Sequence, residues 1–250
     1  LPDDRDEVPA IVCCHQTVPQ GKDEPAGLEG DPALAFARHY AELGYVTIAP
    51  DCITAGERVG AGLDPFDTAA YYKEHPKRSA MGKMLWDHMH AIDVLTELRV
   101  VDPARIGVVG HSLGGYNALF LAAFDERVRA CVASCGFTRF AVDDTPERWA
   151  RDSGFCHFPK LREAAKKGQY PFDWEHVLAL AAPTPILLLT ALNDEVFPHT
   201  DSCEAAVKCA RKVYNVLGAP DALQNYTHES GHGVPPDARQ EADEWFERWL

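Results

Sequence analysis

The 250-residue sequence lacks any apolar run of the roughly 20 residues that a membrane-spanning helix needs, so no span is expected. It has no internal repeat and no Ser/Gly-rich linker, and residues 1–250 are therefore read as a single domain. Positive charge is scarce: 24 Lys and Arg face 38 Asp and Glu, a formal net charge of −14. That balance argues against nucleic acid, anionic lipid surfaces and polyanionic substrates as partners, and it favours solubility. The eight cysteines form no Cys-x-x-Cys pair. Cys13 and Cys14 are adjacent in a predicted strand and point to opposite faces. Cys203 and Cys209, six apart on a predicted helix, lie off one another's face. The cysteines read as small buried hydrophobes, with disulfide pairing left open, and no metal is expected. No signal-peptide pattern is present, which leans towards the cytoplasm, but a chain that begins at Leu1 leaves a trimmed leader open.

What is present is an alternation. Apolar strand-like runs at 9–14, 45–49, 106–109, 128–133, 185–190 and 222–226 alternate with helical stretches. The helices are predicted at 31–43 (Asp31 as N-cap, Pro32 at the first position, Gly44 as stop), 84–98, from 112 to about 124, 203–217 and 237–250. Asp102-Pro103 reads as a turn. Residues 52–80 read as an irregular excursion and 136–180 as a long polar-aromatic insertion. This order implies an α/β fold: a doubly wound, mostly parallel sheet with helices on both faces and a cap-like insertion. Such sheets place functional residues just beyond the C-terminal ends of their strands.

The sharpest such position follows Ile106 to Val109. There the strand runs into Gly110-His111-Ser112-Leu113-Gly114, a Gly-x-Ser-x-Gly between strand and helix, which is a nucleophile elbow. A Cβ at 110 or 114 would collide with neighbouring backbone in so tight a turn. Ser112 at a helix N-terminus also has free N–H groups beside it to meet an oxyanion. Asp194 follows the strand 185–190, and His232 lies between glycines before the last helix. The order Ser112, Asp194, His232 is that of a hydrolase triad, in which imidazole takes the hydroxyl proton and the acid orients the imidazole. His228 is a rival to His232, and His111 reads as structural. A histidine base works only when neutral, so activity is expected to fall on the acid side.

With PAIVCCHQT, GYVTIAPD followed by Gly56-Glu57-Arg58, the 101–107 segment, GHSLGG, LNDEVFP and SGHG, the chain resembles α/β-hydrolases of the dienelactone-hydrolase-like and acetyl-xylan-esterase-like group. That group shades into prolyl-oligopeptidase-type catalytic domains. Dienelactone hydrolases proper use cysteine as nucleophile; serine at 112 points to ester chemistry instead. The strands that usually precede the first one here are missing or lie outside the chain. The resemblance implies an oxyanion hole made by the Leu113 N–H and by that of Gln16 or Thr17. It also implies no cofactor. His15, Thr17, Phe137 and Trp174 are carried as candidate substrate contacts, the insertion's aromatics lining an acyl pocket or merely fixing the insertion to the domain.

The expected activity is hydrolysis of small, short-chain carboxylic esters through an acyl-enzyme on Ser112. A prolyl-oligopeptidase-type peptidase is the alternative, disfavoured because a gating propeller has no room here. A binding module that has lost catalysis is the third reading, and an intact triad order argues against it. Oligomeric state and physiological substrate are left open.

Overall fold

The computed structural model describes residues 7–250. In chain order its strands are β1 (Val8–Cys14), β2 (Val46–Ile48), β3 (Val101–His111), β4 (Val128–Ser134), β5 (Ile186–Ala191) and β6 (Leu223–His228). They form one sheet in the order β2-β1-β3-β4-β5-β6, and every pair is parallel. The helices are α1 (Phe36–Glu42), α2 (Ala69–Glu74), α3 (Ala80–Thr96), α4 (Leu113–Phe124), α5 (Arg162–Lys167), α6 (Trp174–Ala181), α7 (Asp201–Val216) and α8 (Pro236–Trp249).

A parallel sheet covered on both faces needs strands that are apolar on both sides, and these are. Val12, Val108, Cys131 and Leu188 point into a core shared with α3, α4, α6 and α7. Their neighbours Ile11, Val109, Val132 and Leu187 point into a second core under α1 and α8, filled by Phe36, Tyr40, Trp245 and Phe246. Arg239 of α8 reaches the Ala33 carbonyl and stacks on Phe36, which ties the last helix to the first.

Several expected boundaries move, each for a local reason. Asp31 does cap, accepting the Ala33 N–H at 2.9 Å, but the turn it opens is a 3-10 turn at Pro32–Leu34. Ala35 breaks it with ψ 53°, so α1 starts only at Phe36. The helix expected at 84–98 begins at Ala80, because Ser79 accepts from Gly82 N at 3.0 Å and caps it four residues early. Asp102-Pro103 is not a turn but lies within β3, whose pairing with β1 shifts register between Val8 and Ala10. β6 runs on to His228, so the rival histidine is strand, not loop. The excursion at 52–80 holds a 3-10 turn and α2, and the 136–180 insertion holds three 3-10 turns, α5 and α6. All eight cysteines are free, seven buried and Cys209 exposed.

Candidate active site

The turn between β3 and α4 is built as the sequence requires. Ser112 has φ 54° and ψ −116°, a left-handed backbone that a non-glycine residue adopts only at a cost of about 1–3 kcal/mol. Its N–H donates to the Ser134 carbonyl of β4 at 2.8 Å, which holds the strained residue in place. A Cβ on Gly110 would stand 2.2 Å from the Gly114 carbonyl carbon, and one on Gly114 would stand 2.1 Å from the Cys14 oxygen. The first contact sets the sharpness of the turn. The second lets the start of α4 lie directly on the end of β1, where the Gln16 loop departs. Ser112 is 8% exposed.

The acid and base come from the neighbouring, paired strands β5 and β6. Asp194 is buried; its Oδ1 accepts the Val196 and Phe197 N–H groups, both at 2.8 Å, and its Oδ2 lies 2.8 Å from His232 Nδ1. Leu192 N to His228 O (2.8 Å) and Asn193 N to Ser230 O (3.3 Å) lace the two loops together. Burial works to raise the Asp194 pKa, but the His232 hydrogen bond and the two backbone donors outweigh it and hold the carboxyl below its ordinary value. The carboxylate therefore accepts from Nδ1–H, and Nε2 of His232 is left as the acceptor nitrogen. His111, next to Ser112 in the chain, packs its ring 4.5 Å from that of His232. Burial pushes His111 down to about 3, so it is a neutral wall, anchored through Nδ1 to Ser134 Oγ at 3.0 Å.

His228 is buried and bonds elsewhere, with Nδ1 on Ser230 Oγ at 2.7 Å. His228-Glu229-Ser230-Gly231-His232 also spells the His-Glu-x-x-His spacing of zinc peptidases, which reading the cysteines alone passes over. That motif works by placing both histidines on one helix face. Here the segment is the end of a strand and a bend, and the two imidazoles bond to different partners.

On the other side of Ser112, His15 is buried and Thr17 is exposed. His15 bridges two segments: its Nε2 accepts the Cys52 N–H at 2.9 Å and its Nδ1 lies 2.6 Å from the Gln16 carbonyl. Nε2 accepts, so Nδ1 is the donor, and desolvation keeps the ring neutral by lowering its pKa. Gln16 Nε2 donates to Glu24 Oε1 at 3.1 Å. Among the described residues, the Gln16 and Leu113 amides donate to no acceptor. Asp51 secures the loops behind: it accepts from Lys22 N (2.7 Å) and Glu57 N (3.0 Å).

Phe137 and Trp174 do not stand free over the serine. They stack on each other at 4.7 Å and 17°, both buried in the main core. A different set of rings links His15 to His232. Centroid contacts run from His15 to Phe66, Phe155, His157, Trp149, Phe197 and His232, none longer than 6.5 Å. His157 is held by the Tyr116 hydroxyl of α4 at 2.6 Å, and burial pushes it down to about 3. Nothing in the local sequence signals this pair, whose members are 41 residues apart.

The sheet order, the elbow and the paired loops are those of an α/β-hydrolase, and the model of the prolyl oligopeptidase family matches residues 68–250. The chain belongs to that family. YtaP of Bacillus subtilis, provisionally named a hydrolase, is 28% identical over 218 residues, covering 86% of this chain and 69% of YtaP. Dipeptidyl-peptidase 5 of Porphyromonas gingivalis is 25% identical over 228 residues, 85% of this chain but only 30% of that protein. The crystal structure of a protein from Bacteroides fragilis, provisionally named an acetyl xylan esterase, superposes with a TM-score of 0.67 at 24% identity, over 95% of this chain and 63% of the other. These likenesses carry the hydrolase family and the fold.

Proposed function

We propose that this family member is a serine carboxylesterase acting on short-chain esters. The observation that carries the reading is the Asp194–His232 pair, packed against the ring of His111, whose chain neighbour Ser112 stands strained at the head of α4. In the proposed cycle His232 Nε2 takes the Ser112 hydroxyl proton as Oγ bonds to the ester carbonyl carbon. The carbonyl π electrons move onto oxygen, where the Leu113 and Gln16 N–H groups receive them; one such donor is worth about 3–4 kcal/mol in the transition state. The carbon–alkoxide bond then breaks as His232 returns the proton to the leaving alcohol. Water, deprotonated by the same nitrogen, attacks the acyl-enzyme, and the acid leaves with Ser112 restored. Asp194 stays ionised and stabilises the imidazolium. Short chains are favoured because Ser112 is buried, as are the rings of Phe66, Phe155, His157, Trp149 and Phe197.

The family match supports a second reading, a peptidase cleaving after proline. One assay separates the two: p-nitrophenyl esters from acetate to dodecanoate beside a prolyl-p-nitroanilide, with Ser112→Ala in parallel. Turnover of the short esters that falls by at least about 10³-fold in Ser112→Ala is expected. Anilide cleavage without ester cleavage moves the assignment to peptidase. Turnover in Ser112→Ala within a few-fold of the parent rules out Ser112 as nucleophile.

A further inference from the structure

Cys135 is the first residue after β4, and it takes a left-handed backbone with φ 46°. Its N–H donates to the Leu189 carbonyl of β5 at 2.9 Å, so the direction of its Cβ is fixed by two strands. The thiol makes a long contact of 3.8 Å with the Gly233 carbonyl, beside His232. One donor atom each from Cys135, Asp194 and His232 fall within 4.8 Å of one another. The proposed esterase cycle gives Cys135 no task.

We propose that Cys135, Asp194 and His232 form an inhibitory site for one soft divalent cation, zinc or cadmium. The site rests on the esterase reading only for its effect, not for its existence. A tetrahedral zinc with bonds of about 2.0–2.3 Å holds its donors roughly 3.4–3.6 Å apart; Asp194 Oδ2 and His232 Nδ1, at 2.8 Å, would part slightly, and the Cys135 thiol would close by no more than about 1 Å. The thiol borders open space that Asp194 also lines. A cavity of about 10 Å³, lined by Cys135, Thr190, Asp194 and Cys203, adjoins it, which is room for about a single water-sized sphere. A thiolate–imidazole–carboxylate set selects zinc or cadmium over magnesium or calcium.

Binding is a ligand exchange without redox change. The Cys135 S–H bond breaks, its proton goes to solvent and a metal–sulfur bond forms. One ring nitrogen of His232 gives its lone pair to the metal. If that nitrogen is Nε2, the base is occupied; if it is Nδ1, the proton moves to Nε2. In either case the Ser112 proton has no acceptor, and hydrolysis stops until the ion is removed.

The test uses the full chain with its exposed cysteine removed (Cys209→Ser), titrated with cadmium and separately with zinc. One equivalent of cadmium should raise the ultraviolet charge-transfer absorption of a cadmium–thiolate bond, and adding Cys135→Ala should abolish it. Zinc should inhibit ester hydrolysis, EDTA should restore it, and magnesium should do nothing. Cys135→Ala should keep its basal activity while its half-inhibiting zinc concentration rises at least about tenfold. Cys135→Ser stands in should the alanine variant fail to fold. Absence of the thiolate band at one equivalent, or equal zinc sensitivity with and without Cys135, overturns the site. The absorption titration reads metal binding even in a protein with no esterase activity, so failure of the site and failure of the esterase reading are told apart.

Discussion

At the scale of single residues, the site depends on the tautomer that Asp194 imposes on His232. Asp194→Asn would keep the side chain's shape but present an amide N–H towards Nδ1. The ring would then donate from Nε2 and could not accept the Ser112 proton. By analogy with the same change in serine proteases, kcat should fall by about 10⁴-fold while substrate affinity changes little. Equal losses in kcat and affinity would instead mean that the loop had moved. Ser112, Asp194 and His232 stand out in the sequence because each follows an apolar run and is flanked by glycine, proline or a polar turn, and the structure brings the last two together. His15, Asp51 and the Tyr116–His157 pair do not stand out, because their partners lie 29 to 41 residues away in the chain. A local pattern cannot signal a contact whose other half comes from another segment. Phe137 and Trp174, stacked in the core, fit the second of the two readings given for the insertion's aromatics, that they fix it to the domain; aromatic content marks burial, and only the packing says against what.

At the scale of elements, the contact that matters is the end of β1 against the head of α4. Gly114→Ala would drive a methyl group to within 2.1 Å of the Cys14 oxygen unless one element moves. Such overpacking costs about 1–3 kcal/mol, and relief would separate the Gln16 amide from the Leu113 amide. The expected outcome is a folded, less stable protein whose kcat falls far more than its stability does. Unchanged kcat in that variant would remove Gln16 from the oxyanion hole. His15 fixes the same loop from behind through the Gln16 carbonyl and Cys52 N–H. His15→Ala should therefore lower kcat with little effect on KM, measured on the shortest ester. The strands were legible from their apolar runs, but helix starts were not. α1 and α3 begin where Ala35 breaks a turn and Ser79 caps one, choices of one or two residues that periodicity does not resolve.

At the scale of the whole molecule, three buried histidines set a pH limit. Burial pushes His88 down to about 4 and His111 and His157 down to about 3. In the unfolded chain each titrates near about 6.5, so between these values the unfolded state binds protons that the folded state refuses. Stability therefore falls as pH drops below about 6.5, by about 1.4 kcal/mol per pH unit for each group, or roughly 4 for the three together. Denaturant midpoints measured from pH 7 to pH 5 should decline steeply, and His88→Leu should flatten the slope by about one third. A midpoint that stays level to pH 5 would mean that these rings take up protons in the native state. Asp194 acts lower down: its depressed carboxyl contributes stability that is lost only as pH falls through that value, below the ordinary carboxylate range.

The order of the strands has a further consequence for how the protein comes into being. A ribosome delivers Ser112 and the first five strands before it delivers Asp194, and His232 arrives only after β6, the strand at the sheet's far edge. Most of the hydrophobic framework can thus assemble around a serine that has no base. On the proposed esterase reading the nascent chain is a scaffold first, and its serine gains its proton acceptor only once β6 and the His232 loop have followed.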